Sequence, residues 1–143
     1  MKKKILIVSA NYYKDITNGL INSAIKLIPR TNKVKMIEVP GVFEIPVVIS
    51  KNINKYDAFL ALGCVIKGKT PHFDFISQAS INAIMDLSIT SKKPIGNAII
   101  TCLNMSQAKA RKMKGAEAAK AVISILSQKW ERILIRKIIQ EWL

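Results

Sequence analysis

The chain contains 143 residues, of which 50% are hydrophobic and 22% are charged, and 23 Lys and Arg against 9 Asp and Glu give a formal net charge of +14. These values predict one domain over residues 1–143 with a core of ordinary size, and they exclude a disordered basic tail. No apolar run is long enough for a membrane span, and the one near the start is too short for a secretory signal. We therefore expect a cytoplasmic protein with no membrane partner.

The positive charge is concentrated at the two ends of the chain. Residues 1–35 contain eight basic and one acidic residue and residues 109–143 contain nine and three, whereas residues 36–108 contain six and five. A lysine-rich solvated surface is the simpler interpretation, and a footprint for an anionic partner is the alternative. Because only 6% of the residues are aromatic and no nucleic-acid-binding motif is present, we expect no nucleic-acid partner.

The first half of the chain alternates between apolar runs typical of buried strands and longer stretches with helical spacing. A strand is predicted over Ile5–Val8, and a helix over Asp15–Ile28 follows it. Alternating apolar and polar residues predict a second strand over Lys33–Val39. A Pro-Gly turn then leads into a predicted helix over Glu44–Ile53.

The second half continues the same alternation. Ala58–Ile66 is apolar on both faces, as a central parallel strand should be. A helix from Pro71 to about Ser88, a strand over Ile95–Leu103 and a short helix over Met105–Lys112 come next. A long helix is predicted from Ala116 onward. Its apolar face contains Ala119, Val122, Ile123, Leu126, Trp130, Ile133, Leu134 and Ile138.

This order of elements predicts the α/β class, as a three-layer α-β-α sandwich around a four-stranded parallel sheet. Ligands of such sheets bind in the crevice beyond the carboxyl ends of the strands. Three loops are therefore candidates for a site, at residues 9–13, 40–44 and 67–72.

The third loop has the composition of an anion site. Thr70 is a suitable N-cap and Pro71 a suitable first helical residue, so the free amides of the next helix would face the crevice. Gly68 allows the backbone to approach a ligand closely, and Lys67 and Lys69 add positive charge. We interpret this loop as a candidate phosphate-binding segment.

Two side chains in these loops could handle protons or hydrogen bonds. His72 is the only histidine of the chain, and histidine is the side chain best suited to proton transfer near neutral pH. A purely structural histidine is the alternative. Glu44 could cap the second helix, or its carboxylate could face the crevice and accept hydrogen bonds from a ligand.

Tyr12 and Tyr13 occupy the first loop, where a dinucleotide-binding fold would have its glycine-rich turn. One of these rings could stack on a planar heterocycle, and packing in the core is the alternative for either. The two cysteines, Cys64 and Cys102, lie in apolar segments and are expected to be buried free thiols. With one histidine and no metal-ligand spacing, we expect neither a metal nor a nucleotide cofactor.

Two longer motifs are specific to one enzyme family. Val39-Pro-Gly-Val-Phe-Glu-Ile-Pro46 and Ala61-Leu-Gly-Cys-Val-Ile-Lys-Gly-Lys-Thr-Pro-His-Phe-Asp-Phe-Ile76 closely resemble segments of lumazine synthase, the penultimate enzyme of riboflavin biosynthesis. Shorter matches at residues 9–16, 94–101, 108–111 and 114–115 fall in the same order as in that family. The resemblance covers nearly the whole chain.

The resemblance implies a flavodoxin-like fold and a transferase activity. The enzyme would condense 5-amino-6-(D-ribitylamino)uracil with 3,4-dihydroxy-2-butanone 4-phosphate to form 6,7-dimethyl-8-ribityllumazine, phosphate and water, without cofactor or metal. It would form a homopentamer with its active sites at the subunit interfaces, and pentamers could assemble further.

Site residues can be assigned from the resemblance position by position. His72 would be the catalytic residue that moves protons. The pyrimidine substrate would be held by Tyr12, Val42, Phe43, Glu44, Cys64, Val65, Ile66 and Asn97, the last from a neighbouring subunit. The phosphate of the second substrate would be bound by Lys69, Thr70, Arg111 and Lys114, with Lys109 as a further cation nearby.

The chain departs from the family at three points. Only two residues separate Arg111 from Lys114, where family members have several more, and Met113 replaces the usual Asn. In the family this connection helps decide whether pentamers pack into a sixty-subunit shell, so the resemblance implies that the short connection favours isolated pentamers. Val42 is larger than the residue common at that position, which predicts a narrower pyrimidine pocket.

Two other functions are compatible with the sequence. A protein of this fold could bind lumazine or flavin with little turnover, and ligand affinity without product would identify it. A basic assembly or nucleic-acid-binding protein would instead show steeply salt-dependent binding. Neither alternative explains why Glu44, Thr70, His72 and Arg111 occur together in motif context.

Overall fold

A single parallel sheet organises the structure, a computed structural model that describes residues 2–128 and 137–142. Its strands follow the order β2-β1-β3-β4, so that β2 and β4 form the two edges. The strands are β1 (Lys4–Ala10), β2 (Lys33–Val39), β3 (Ala58–Ile66) and β4 (Ile95–Cys102). All three pairings in the sheet are parallel, which confirms the predicted sheet and α/β class.

Helices cover both faces of the sheet. They are α1 (Lys14–Leu27), α2 (Ile45–Lys51), α3 (His72–Ser91), α4 (Met105–Lys109) and α5 (Lys114–Leu126), and a 3₁₀ turn over Val42–Glu44 precedes α2. Residues 137–142 are also helical. The three-layer sandwich predicted from the sequence is confirmed.

Two hydrophobic cores lie on opposite sides of the sheet, because successive side chains of a strand point to opposite faces. Ile5, Ile7 and Leu60 pack against α1 and α5, whereas Leu6 and Phe59 pack toward α2 and α3. β3 is buried on both faces from Ala58 to Cys64, as its continuous apolar sequence predicted.

α1 and α5 pack closely against each other. Gly115 lies against the carbonyl oxygen of Leu20, where a Cβ atom would collide with the backbone. The buried hydroxyl of Ser23 accepts a hydrogen bond from the Ala116 N–H at 3.0 Å and donates one to the Lys112 carbonyl at 2.8 Å. These contacts position the turn between α4 and α5.

Several predicted boundaries were wrong. α4 ends at Lys109 rather than Lys112, and α5 begins at Lys114 rather than Ala116, because the short connection turns sharply against α1. α2 is shorter than predicted, since Glu44 belongs to the 3₁₀ segment and the helix ends at Lys51, where residues 52–55 form a turn. The predicted long helix is described only to Leu126 and over 137–142, where Ile138 is exposed. Its residues Trp130, Ile133 and Leu134 lie outside the described residues.

The start of α3 also differs from the prediction. Pro71 occupies the cap position and the helix begins at His72, so Thr70 is not the N-cap. The Thr70 hydroxyl instead accepts a long hydrogen bond of 3.4 Å from the His72 N–H, the local turn geometry available to a threonine two residues earlier. Among the described residues, no helix has the length and apolar character needed to cross a membrane.

Candidate active site

A cavity of about 550 Å³ opens at the carboxyl ends of β1 and β3. It lies in the crevice predicted for ligands of a parallel sheet. Eight residues predicted for the site line it: Tyr12, Val42, Phe43, Glu44, Cys64, Val65, Ile66 and His72. The fold therefore gathers side chains from three separate loops into one pocket.

The 3₁₀ turn places the second loop over the end of β3. Gly63 makes this approach feasible, because a Cβ atom there would collide with the Val42 side chain. Glu44 occupies the N-cap position of α2 but makes no side-chain cap hydrogen bond, and it lines the pocket. The structure therefore shows no side-chain cap by Glu44 and places the residue in the pocket wall.

The two tyrosines of the first loop both line the pocket but differ in exposure. The Tyr12 ring is 75% exposed and meets the Tyr13 ring edge-to-face, with ring centroids 4.9 Å apart. Tyr13 is half-buried against the core that contains α1, and this burial, followed by the influence of Tyr12 and Cys64, raises the pKa of its hydroxyl. Tyr12 is thus the tyrosine whose ring is exposed to a ligand, and Tyr13 packs against that ring.

Cys64 forms part of the pocket wall as a buried thiol. Burial is the main cause that raises its pKa to about 12, and the neighbouring Cys102 adds to the shift. Both cysteines are free and buried, as predicted. At neutral pH the Cys64 thiol is protonated and contributes apolar surface to the pocket.

His72 occupies the mouth of the pocket as the first residue of α3. The preceding loop from Lys67 to Pro71 is exposed, so Lys69 and Thr70 lie beside His72 without lining the cavity. The imidazole is exposed to solvent and to the cavity at the same time. A group in this place can exchange protons between a bound ligand and water.

Besides Lys69 and Thr70, three further predicted site residues do not line this pocket. Asn97 is exposed on the edge strand β4 and pairs in register with Ala61, which lies roughly 10 Å along β3 before Cys64. Arg111 is exposed and donates a hydrogen bond to the Gln107 carbonyl at 3.0 Å. Lys114 is exposed and forms an ion pair of 2.8 Å with Glu117. Within a single chain the pocket thus contains His72 and every residue predicted for the pyrimidine except Asn97.

Three lining residues were not among the predicted site residues. Tyr13 was considered in the sequence only as one of two alternatives, and Gly41 and Ile76 were absent from the site set. Gly41 lies next to the Glu44 side chain. Ile76 follows His72 by four residues, and this helical spacing could have identified Ile76 as a neighbour of His72 in the pocket. Among residues 2–128 and 137–142, no cluster of three His, Cys, Asp or Glu side chains could hold a metal ion.

A second, larger cavity of about 680 Å³ lies between α1 and α4. Its wall includes Tyr13, Lys109 and Lys112, but none of the pocket residues predicted from the sequence. We therefore assign the candidate active site to the smaller cavity, where the aromatic, acidic and imidazole groups converge.

Comparisons with known proteins point to one family. A family model described as 6,7-dimethyl-8-ribityllumazine synthase matches residues 2–129. A protein of that name from Methylorubrum extorquens is 40% identical over 139 residues, covering 88% of this chain and 80% of its own. The Agrobacterium fabrum protein of the same name is 38% identical over 141 residues, covering 90% and 95%. A "6,7-dimethyl-8-ribityllumazine synthase 1" from Rhodopseudomonas palustris is 38% identical over 136 residues, covering 86% and 83%.

The match to the family model extends over all four strands and over the three loops that form the pocket. The resemblance drawn from the two motifs is confirmed: the chain belongs to the 6,7-dimethyl-8-ribityllumazine synthase family.

Proposed function

We propose that this chain condenses 5-amino-6-(D-ribitylamino)uracil with 3,4-dihydroxy-2-butanone 4-phosphate to form 6,7-dimethyl-8-ribityllumazine, phosphate and water. The observation that carries the proposal is the convergence of Tyr12, Glu44 and His72 on one cavity. A planar pyrimidine with a polyol chain requires an aromatic surface, hydrogen-bond acceptors and a means of moving protons, and these three residues supply them. The alternative of a binding protein with little turnover is not favoured by the relatives, which are named as synthases.

The pyrimidine is held between Tyr12 and the 3₁₀ turn. The exposed Tyr12 ring stacks on the heterocycle. The polar edge of the heterocycle and the ribityl chain form hydrogen bonds with the backbone of Val42 and Phe43 and with the Glu44 carboxylate. Cys64, Val65 and Ile66 supply the apolar wall. We propose that the Val42 side chain, larger than the residue common in the family, narrows the pocket at that position.

His72 moves protons during the reaction. The amine of the pyrimidine attacks the ketone and loses water to form an imine, then phosphate leaves and the ring closes with loss of water. Each step moves a proton between substrate atoms and solvent, and His72 lies at the boundary between cavity and solvent. Since the amine and the ketone react readily once brought together, orientation supplies much of the remaining acceleration.

The phosphate end of the second substrate lies toward the loop before α3. Lys69 and Thr70 adjoin His72 there, so a phosphate bound by them places its carbon chain next to the imidazole. Arg111 and Lys114 lie outside this chain's pocket, and we assign them to the site of an adjacent copy. Asn97 on the edge strand β4 is assigned to an adjacent copy for the same reason.

These assignments require a homo-oligomer, and we propose a homopentamer with its sites between subunits. Apolar side chains exposed along one stripe of α3 support an interface: Phe75 is 70% exposed, Met85 58% and Ile89 67%. Their spacing places them within about 80° around the helix axis. The short turn between Arg111 and Lys114 favours pentamers that do not assemble into a larger shell. Free cysteines favour a cytoplasmic location, because oxidising compartments convert such thiols to disulfides.

The test mixes the purified protein with both substrates and follows lumazine absorbance and released phosphate against the spontaneous reaction. We expect both products in equal amounts and faster than without protein. A folded oligomer that binds a lumazine analogue but gives no acceleration would contradict the proposal and identify a binding protein.

Mixing two variants with lowered activity tests the shared site. Assemblies of His72→Ala chains with Arg111→Ala chains, dissociated and reassembled together, should recover part of the activity, because some sites combine an intact His72 with an intact Arg111. Each variant reassembled alone is the control. Recovery no greater than the sum of the two controls would contradict a site built from two copies.

A further inference from the structure

A cavity lined mainly by lysines lies at the amino ends of β1 and β2, at the opposite end of the strands from the candidate active site. It has a volume of about 480 Å³ and is lined by Lys4, Lys33, Lys35, Asn54, Lys55 and Tyr56. β1 and β2 begin here, whereas the pocket that contains His72 lies at the carboxyl ends of the strands. Four of the six lining residues are lysines, and no carboxylate is among them.

The strand register brings three of these lysines onto one face of the sheet. Lys4 pairs directly with Lys33, and Leu6 pairs with Lys35. Since residues two apart on a strand share a face, Lys4, Lys33 and Lys35 lie on the face on which Leu6 is fully buried. Lys55 reaches the same cavity from the turn that follows α2.

This arrangement is unfavourable for the unliganded protein. Like charges directly opposite on neighbouring strands repel and destabilise the pairing. Asp57 is the carboxylate nearest to Lys55 in the sequence. It accepts a hydrogen bond at 2.8 Å from the backbone N–H of Lys4, not from a lysine ammonium group. In the described part of the chain the one ion pair joins Lys114 to Glu117, so none of the four lysines has a carboxylate partner there.

We propose that this cavity binds a polyvalent phosphate anion, a chain of phosphate groups that carries at least three negative charges. Four ammonium groups around one cavity match several phosphate groups better than one, because a single phosphate would leave most of the repulsion uncompensated. Each lysine offers three rotatable donors to phosphate oxygens, and Asn54 and Tyr56 add neutral donors. This binding is independent of the synthase reaction.

Thermal unfolding tests the proposal, with inorganic tripolyphosphate as the probe. In the reference samples sodium chloride replaces the tripolyphosphate, so that the ionic strength stays constant. A ligand that binds the folded state raises the melting temperature in proportion to the logarithm of its concentration above Kd. We expect this rise for the unchanged protein. The double variant Lys33→Gln, Lys35→Gln should bind tripolyphosphate at least tenfold more weakly by titration calorimetry.

The control variant Lys26→Gln, Lys120→Gln removes the same charge from exposed helix positions and should bind like the unchanged protein. Without ligand, the Lys33→Gln, Lys35→Gln protein should melt at the same or a higher temperature than the unchanged protein, because repulsion is relieved. Equal tripolyphosphate affinity in the two double variants would overturn the proposal. A rise in melting temperature with sodium chloride alone that equals the rise with tripolyphosphate would also overturn the proposal.

Such a chain of phosphate groups can be free or part of a nucleotide, and adenosine triphosphate distinguishes these two sources. Equal affinity for adenosine triphosphate and tripolyphosphate shows that the phosphate chain alone is recognised. Tighter binding of adenosine triphosphate that weakens in Tyr56→Leu shows that a base joins the phosphate chain at this cavity. Binding of adenosine triphosphate without binding of tripolyphosphate would overturn the proposal, because recognition would then not rest on the lysines.

Discussion

Ser23 and Lys112 are joined by a hydrogen bond of 2.8 Å from the Ser23 hydroxyl to the Lys112 carbonyl, although 89 positions separate them in the sequence. The aliphatic part of the Lys112 side chain crosses α1 at Gly19, where a Cβ atom would collide with it. Together these contacts hold the short turn that contains Arg111 against α1. The position of a proposed phosphate-binding residue therefore depends on two small residues of the first helix.

Replacing Ser23 with alanine should destabilise the protein by about 1–3 kcal/mol, because the buried Ala116 N–H loses its acceptor. Urea denaturation measures this change. The control is Ser124→Ala, since Ser124 is exposed and donates only to the Ala121 carbonyl of its own helix at 2.7 Å. Equal stability of the two variants would show that the Ser23 bonds contribute nothing to the turn.

Gly115→Ala should cost about 1–3 kcal/mol or more, because the new methyl group meets the Leu20 carbonyl and forces α1 and α5 apart. Gly68→Ala is the matched change, since no atom lies within 4 Å of an added Cβ and its backbone is not left-handed. That variant should be neutral, or more stable by less than about 1 kcal/mol. Melting temperatures compare the two, and a Gly115→Ala protein as stable as Gly68→Ala would refute the close packing.

His72→Ala should lower kcat by about 10²-fold or more, the usual contribution of a positioned proton-transfer group, while the reaction remains faster than without protein. Orientation by the rest of the pocket accounts for the residual activity. Steady-state kinetics with both substrates provides the measurement, and circular dichroism checks the fold. Complete loss of acceleration in a folded oligomer would contradict the positioning account.

Arg111→Ala should raise KM for the phosphorylated substrate about tenfold or more, the loss expected when a charged donor to phosphate is removed. KM for the pyrimidine should change little, because Arg111 does not line the pyrimidine pocket. Lys109→Ala, at the end of the short helix that precedes Arg111, is the comparison. An unchanged KM for the phosphorylated substrate in Arg111→Ala would refute the phosphate assignment.

The Cys64 thiol should make stability depend on alkaline pH. Its pKa is raised to about 12 in the folded protein, so the unfolded chain ionises first as the pH rises above about 9, and folding is then disfavoured. Stability is fully present below pH 9 and falls between pH 9 and 12. Cys64→Val removes this contribution, so its melting temperature should decline less steeply over that range. Parallel declines of the two proteins would contradict the assigned shift.

The sheet and most helices were predictable because local patterns carry them. The run from Ala58 to Ile66 is apolar on both faces, and only a central strand buries both. Tyr12, Glu44 and His72 follow strands of that sheet, and parallel strands end at one edge, so their convergence on one pocket was also predictable. The family resemblance added the roles that local patterns could not assign.

Amino-acid order by itself thus determined the α/β class, the succession of elements and the loops that form the pocket, since hydrophobic periodicity and loop position are local properties. Only the tertiary structure decided that Glu44 faces the pocket without capping a helix, and that Arg111 lies outside it. The same is true of the pairing of Lys4 with Lys33. Such relationships depend on strand register and helix packing between residues far apart in the chain, which no local pattern records.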